Sequence, residues 1–163
     1  MSALYAVVGF IVAQRLAELA LATRNTRRLR ARGAVEAGAG HYPVVVALHI
    51  AWLAAMLLAV APDVPANPYL LAVFVALQAG RVWVIAALGE RWTTRVIVLP
   101  GAPLVARGPY RWVKHPNYLI VCAEIAVVPS IFGAWWIALV FSVLNLAMLW
   151  HRIRVEDAAL AER

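Results

Sequence analysis

Arg107-Gly-Pro-Tyr-Arg-Trp-Val-Lys-His-Pro-Asn-Tyr118 is the stretch on which the reading of this chain turns. It carries two arginines, a lysine, a histidine, two prolines and three aromatic residues. Long apolar runs lie on both sides. A polar strip at the mouth of a hydrophobic helix marks a membrane surface at which something charged is bound.

Outward from the strip, five apolar segments can be drawn: Ala3–Ala22, Pro43–Ala61, Pro68–Gly89, Asn117–Phe132 and Ala134–Trp150. Most approach the ~20 residues that a spanning helix requires. The last two are short and separated only by Pro129-Ser-Ile-Phe-Gly133, which reads as the turn of a helical hairpin. The chain is 64% apolar, where soluble domains run near half. The fold expected is therefore all-α: an integral membrane bundle of five transmembrane helices with a C-terminal helical hairpin. At 163 residues the chain forms a single domain, 1–163, with no room for a separate soluble catalytic unit. Any chemistry takes place on the bundle itself. The single cysteine, Cys122, excludes a disulfide framework, and no Cys or His cluster has metal-ligand spacing.

The formal charge is +7, and its placement tells more than its size. Arg24, Arg27, Arg28, Arg30 and Arg32 follow the first segment. Arg91, Arg95, Arg107, Arg111 and Lys114 follow the third, and Arg152, Arg154 and Arg163 lie in the tail. The Pro62–Asn67 loop and the hairpin turn have none. The positive-inside rule puts the N-terminus outside and the basic loops and the C-terminus in the cytoplasm.

Four ionisable residues fall inside helices: Arg15, Glu18, Arg81 and Glu124. Each is costly in hydrocarbon unless paired or near water. Arg15 and Glu18 are three apart and can pair on one face. Arg81 and Glu124 sit at matching depths below the cytoplasmic surface, which predicts that they meet across the third and fourth helices. They act either as a structural ion pair or as the lining of a polar, substrate-binding cavity, with Gln14, Gln78 and Asn145 in the same layer. His49, in the second helix, is either a core hydrogen-bonding residue or a substrate contact. His41 is read as interfacial.

Pro116 suits the first turn of a helix and puts His115 at its cap. The free N–H groups there favour an electron-rich ligand. Tyr118, three residues on, shares a side of the opening with His115. Gly108-Pro109 turns Tyr110 and Trp112 back toward the interface. In the tail, Arg152, Glu156 and Leu160 are four apart and share a face if the last helix continues past the membrane.

Strip and tail together resemble the isoprenylcysteine carboxyl methyltransferase family of integral-membrane methyltransferases. That family shows Gly-x-Tyr, Arg-His-Pro-x-Tyr, a helical hairpin and Arg-x-x-x-Glu-Glu-x-x-Leu. Here stand Gly108, Tyr110, Lys114-His115-Pro116-Asn117-Tyr118, and Arg152 to Leu160 with Glu156-Asp157. Lys114 replaces the usual Arg, Asp157 the second Glu, and Ile120 a frequent Gly. His41-Tyr-Pro, Leu48-His49 and Glu124 resemble a bacterial branch that O-methylates alkylpyrones and alkylresorcinols. The resemblance implies a catalytic region at about 100–163, S-adenosylmethionine as donor, S-adenosylhomocysteine as product and a cytoplasmic cofactor pocket. It assigns His115, Pro116, Tyr118, Gly108, Tyr110 and Glu156 to the cofactor, with backbone near Val105–Gly108. Arg152 and Glu156 become the catalytic pair, Arg152 holding the acceptor oxygen. Arg81, Glu124 and His49 become substrate contacts.

The expected reaction is methyl transfer to a carboxylate or acidic hydroxyl of a lipid such as an alkylpyrone, an alkylresorcinol or a prenylcysteine. The expected partners are that lipid, arriving from the bilayer, and membrane lipids, with no nucleic acid. The expected location is the bacterial inner membrane. Alternatives are a phospholipid N-methyltransferase, a membrane reductase of the sterol-reductase kind, and a small non-enzymatic scaffold or transporter subunit.

Overall fold

The computed structural model describes residues 2–161; Arg163, counted above with the basic tail, lies outside them. Five helices dominate it: α1 (Ala3–Ala31), α2 (Tyr42–Ala59), α3 (Pro68–Leu88), α4 (Pro116–Ile131) and α5 (Trp135–Ala161). The chain is an integral-membrane helical bundle. All but α4 are long and apolar enough to cross a membrane. The 16 residues of α4 rise only about 24 Å, less than a hydrocarbon core.

Local signals start and stop these helices. Asn67 caps α3, its Oδ1 accepting from the Tyr69 and Leu70 amides at 3.0 and 3.2 Å, with Pro68 opening the helix. α4 ends in a Schellman motif. The Gly133 amide reaches Ser130 O, the Ala134 amide reaches Pro129 O, and Gly133 takes the positive φ of +71° that this turn requires. The expected hairpin is thus made by α4 and α5.

Two helices run past the apolar segments drawn from sequence. α1 continues through Arg24–Ala31, so the basic cluster expected in a loop mostly stands on helix. α5 continues through the tail, which brings Arg152, Glu156 and Leu160 onto one helical face. A two-stranded antiparallel ribbon was not foreseen. β1 (Val35–Ala37) pairs with β2 (Val96–Val98), tying the loops after α1 and α3 together. Glu36 in β1 bonds Arg95 at 2.7 Å and also holds Arg30. Asn25 of α1 donates to the Gly89 and Trp92 carbonyls at 3.1 and 2.9 Å.

Packing is uneven along the bundle. The main apolar core joins Leu4, Val8, Ile11, Trp52, Met56, Phe74, Ile125, Val128 and Ile137. These come from the starts of α1, α3 and α5, the end of α2 and the latter half of α4, so the core occupies the end away from the arginines. At the basic end the packed cluster is small, Ala22, Val84 and Trp92. There the space between helices is filled by charged groups and a cavity.

Candidate active site

The cavity has a volume of about 340 Å³, within the range of small-molecule sites. Its walls come from the loop after α3 (Arg91 to Ala106), the start of α4, the end of α5 and Leu29 of α1. Tyr110, His115, Tyr118, Arg152 and Glu156 all line it, as do Val105 and Ala106.

These side chains form a connected set. The Tyr118 hydroxyl donates to Glu156 and accepts from Arg152 Nε at 2.9 Å. Arg152 Nη2 donates to the Thr94 carbonyl at 2.7 Å, anchoring the α5 tail to the loop after α3. Tyr42 bonds the Thr94 hydroxyl at 3.2 Å. The His115 and Tyr118 rings stack at 5.2 Å and 18°. His115 caps α4 by position, and its Nε2 lies 3.3 Å from Asp157 Oδ1. Because a carboxylate only accepts, Nε2 carries the hydrogen of that contact. Lys114 reaches the same carboxylate at 2.7 Å. Burial, with Glu156 nearby, pushes the Tyr110 phenol well above its ordinary range, so it stays a neutral donor.

Gly108 and Pro116 do not line the cavity. Gly108 backs against α3: at φ +57°, a Cβ there would stand 2.9 Å from that of Ala87. It lets the strip turn close over the helix, and Arg107 adds a 2.7 Å bond to the Ala87 carbonyl. Pro116 is buried at the first turn of α4. Both position the lining residues. Ile120, where relatives of the resembled family often have Gly, is accommodated by Gly80 of α3, whose added Cβ would sit 3.5 Å from Ile120 Cδ1.

The intramembrane charges form a second centre. Arg81 and Glu124 meet across α3 and α4, through Arg81 Nε at 3.0 Å and a second bond from Nη2. Arg15 pairs with Glu18 at 2.8 Å and also reaches Glu124 at 2.7 Å, which helical spacing alone did not show. Gln78 donates to Glu124 at 2.9 Å. Asn145 instead faces Cys122 Sγ at 3.6 Å. His49 lies within electrostatic reach of Arg15, Arg81 and Glu124, with its Nδ1 bonded to the Val45 carbonyl one turn back at 2.9 Å. His41, just before α2, is buried, its ring 5.8 Å from that of His151 on α5.

Sequence reasoning missed Thr94, Asp157 as a partner of His115, and Asn117 as the link between the two centres. Arg81 Nη1 lies 3.4 Å from Asn117 Oδ1, and Asn117 lines the cavity.

Fold and site define a membrane-embedded helical bundle whose charged cavity is walled in part by its own C-terminal helix. The chain belongs to the isoprenylcysteine carboxyl methyltransferase (ICMT) family, which its residues 70–162 match. Family membership makes it a membrane methyltransferase. It is similar to the uncharacterized protein YpbQ of Bacillus subtilis strain 168, 37% identical over 160 residues, or 96% of this chain and 95% of that one. An uncharacterized protein of Haemophilus influenzae is 27% identical over 161 residues, 93% of this chain and 91% of its own. No solved structure matches the chain.

Proposed function

We propose that the chain transfers a methyl group from S-adenosylmethionine to an oxygen of a lipophilic acceptor that reaches the cavity from the bilayer. The observation that carries this reading is the set Glu156–Tyr118–Arg152 on the cavity wall, with His115 stacked beside it. The donor has an ammonium, a carboxylate, a flat base and a ribose with two hydroxyls. The wall offers a carboxylate, a guanidinium, aromatic faces and the apolar side chains of Leu29, Leu88 and Val98. The groups present therefore fit it in charge and chemical character.

When bound, S-adenosylmethionine supplies a methyl group on a positively charged sulfur. The protein contributes alignment and the exclusion of water more than acid–base chemistry. Glu156 engages Tyr118 through Oε2, which leaves Oε1 for an ammonium. Arg152 engages its Nε and Nη2 within the protein, which leaves Nη1 for an anionic oxygen. His115 and Tyr118 give a stacked face against which a ring can lie. The clustering of arginines at this end supports an inner-membrane location with the cavity facing the cytoplasm.

Purified protein given labelled S-adenosylmethionine with an alkylpyrone and a prenylcysteine tests the reading. The label is expected in the lipid extract. Label that survives mild base marks an ether, as from an alkylpyrone or alkylresorcinol, and label released as methanol marks a carboxyl ester. Label in neither acceptor, together with no S-adenosylhomocysteine binding, would sink the proposal. Label in phospholipid amines would transfer the chain to N-methylation.

A further inference from the structure

The outer face of α1 carries a second cavity, shallow and open, with a volume of about 490 Å³. Its lining changes character along the helix. Leu16, Leu19 and Ala20 form an apolar end, and all three are exposed. Arg24, Arg27 and Arg28 form the other end. Thr23 lies between, its hydroxyl turned back to the Leu19 carbonyl at 2.8 Å. At 1.5 Å per residue, Leu16 and Arg27 stand roughly 16 Å apart along the helix axis.

Charge is out of balance at the basic end. Five arginines fall between Arg24 and Arg32. Arg28 and Arg32 share Glu90, at 3.1 and 3.9 Å. Arg30 holds Glu36, which Arg95 also reaches at 2.7 Å. Arg24 and Arg27 are exposed and have no ion-pair partner among the described residues. Arg24 and Arg27 are three apart, and Arg24 and Arg28 are four apart. Like charges at these spacings oppose the helix, yet α1 runs unbroken to Ala31. The face lacks an anion, and its other end is hydrocarbon. A soluble anion satisfies only the first end. An anion joined to an acyl chain satisfies both.

We propose that this face of α1 binds one anionic phospholipid of the membrane. Its phosphate lies between Arg24 and Arg27, and an acyl chain lies over Leu16, Leu19 and Ala20. A basic cluster directly beyond a spanning segment draws anionic lipid, and a guanidinium offers a phosphate two parallel donors. This lipid is distinct from any methyl acceptor, since none of these residues lines the cavity at α4 and α5. Its binding does not depend on the methyl-transfer reading. It bears on the active cavity through Asn25, which stands between the two unpaired arginines in sequence. Asn25 holds the Gly89 and Trp92 carbonyls, where the loop that walls the cavity begins. A neutralised turn of α1 keeps that brace in place.

Native mass spectrometry of the purified protein tests the site, with phosphatidylglycerol and phosphatidylcholine of the same acyl chains as probes. Wild type is expected to bind the first phosphatidylglycerol at least ~10-fold more tightly than phosphatidylcholine. That lipid should also raise its thermal midpoint by about 3 °C or more. Arg24→Gln with Arg27→Gln should abolish both effects and still fold, because neither side chain has a partner to lose. Arg111→Gln with Arg154→Gln removes two other exposed charges and should leave both effects intact. No preference in wild type, or equal loss in the two double variants, would reduce the binding to a diffuse field and overturn the proposal. Displacement of the lipid by excess glycerol phosphate would show that phosphate alone is held, and would overturn it too. A dimer that only the Arg24/Arg27 variant dissolves, with no lipid preference, would give the face to a second copy of the chain instead.

Discussion

One hydroxyl joins the helices of the cavity wall. Tyr118 is on α4, Glu156 and Arg152 are on α5, and Tyr118 Oη donates to the first and accepts from the second. Tyr118→Phe removes both bonds and leaves a guanidinium N–H and a carboxylate oxygen without partners. The expected cost is about 1–3 kcal/mol of stability, read as a lower thermal midpoint in detergent. S-adenosylhomocysteine affinity should fall by ~10-fold, because Arg152 and Glu156 lose the group that fixes their spacing. Unchanged affinity would show that the triad shapes the bundle and not the site. At this scale the sequence was partly legible. His115, Tyr118, Arg152 and Glu156 stood out because polar residues are rare in so apolar a chain. Gly108 stood out equally, but its role is close approach to Ala87, which only the packing of strip on helix reveals. Thr94 had no signal, since its bond to Arg152 is made by a backbone carbonyl that any residue carries and its hydroxyl meets Tyr42, a residue 52 positions away.

The element that makes the site possible is α5. Its first part packs in the apolar core through Ile137 and Phe141, and its last turns bring Arg152 and Glu156 to the cavity without a break. A continuous helix transmits register, so one inserted residue turns everything beyond it by about 100°. One alanine inserted between Trp150 and His151 should leave the membrane part in place and swing Arg152 and Glu156 off the wall. The expected result is loss of S-adenosylhomocysteine binding by more than ~10-fold with helix content retained by circular dichroism. Retained binding would mean that the tail is not set by the helix. The spacing of Arg152, Glu156 and Leu160 made this continuation readable. The extension of α1 was less so, because a run of arginines marks where the membrane ends and not where the helix ends. The three-residue strands β1 and β2 were invisible: Val-Glu-Ala and Val-Ile-Val are too short to show a period of two, and their pairing links residues some sixty positions apart.

Across the whole molecule, two gradients run together. Apolar packing is densest at the end that holds Leu4, Met56 and Ile137, while arginine, the charged layer and the cavity gather at the other. Charge retention during insertion acts on the short basic segments, so the end bearing Arg24, Arg27, Arg28, Arg91 and Arg95 is the one expected to stay in the cytoplasm. The Pro62–Asn67 loop carries no basic residue and joins α2 to α3 at the opposite end. This orientation is checked with single cysteines in a Cys122→Ala background, at exposed Asp63 and at exposed Arg27. A membrane-impermeant maleimide applied to intact spheroplasts should label Asp63→Cys and leave Arg27→Cys unlabelled until the membrane is opened. The reverse pattern would place the cavity outside, away from the cytoplasmic supply of S-adenosylmethionine, and would undo the proposed chemistry without touching the fold. The lipid acceptor we propose suits this bundle on geometric grounds. The charged layer meets the bilayer beside Arg15 and the cavity through Asn117, so a head group anchored by its tail can reach the site without leaving the membrane.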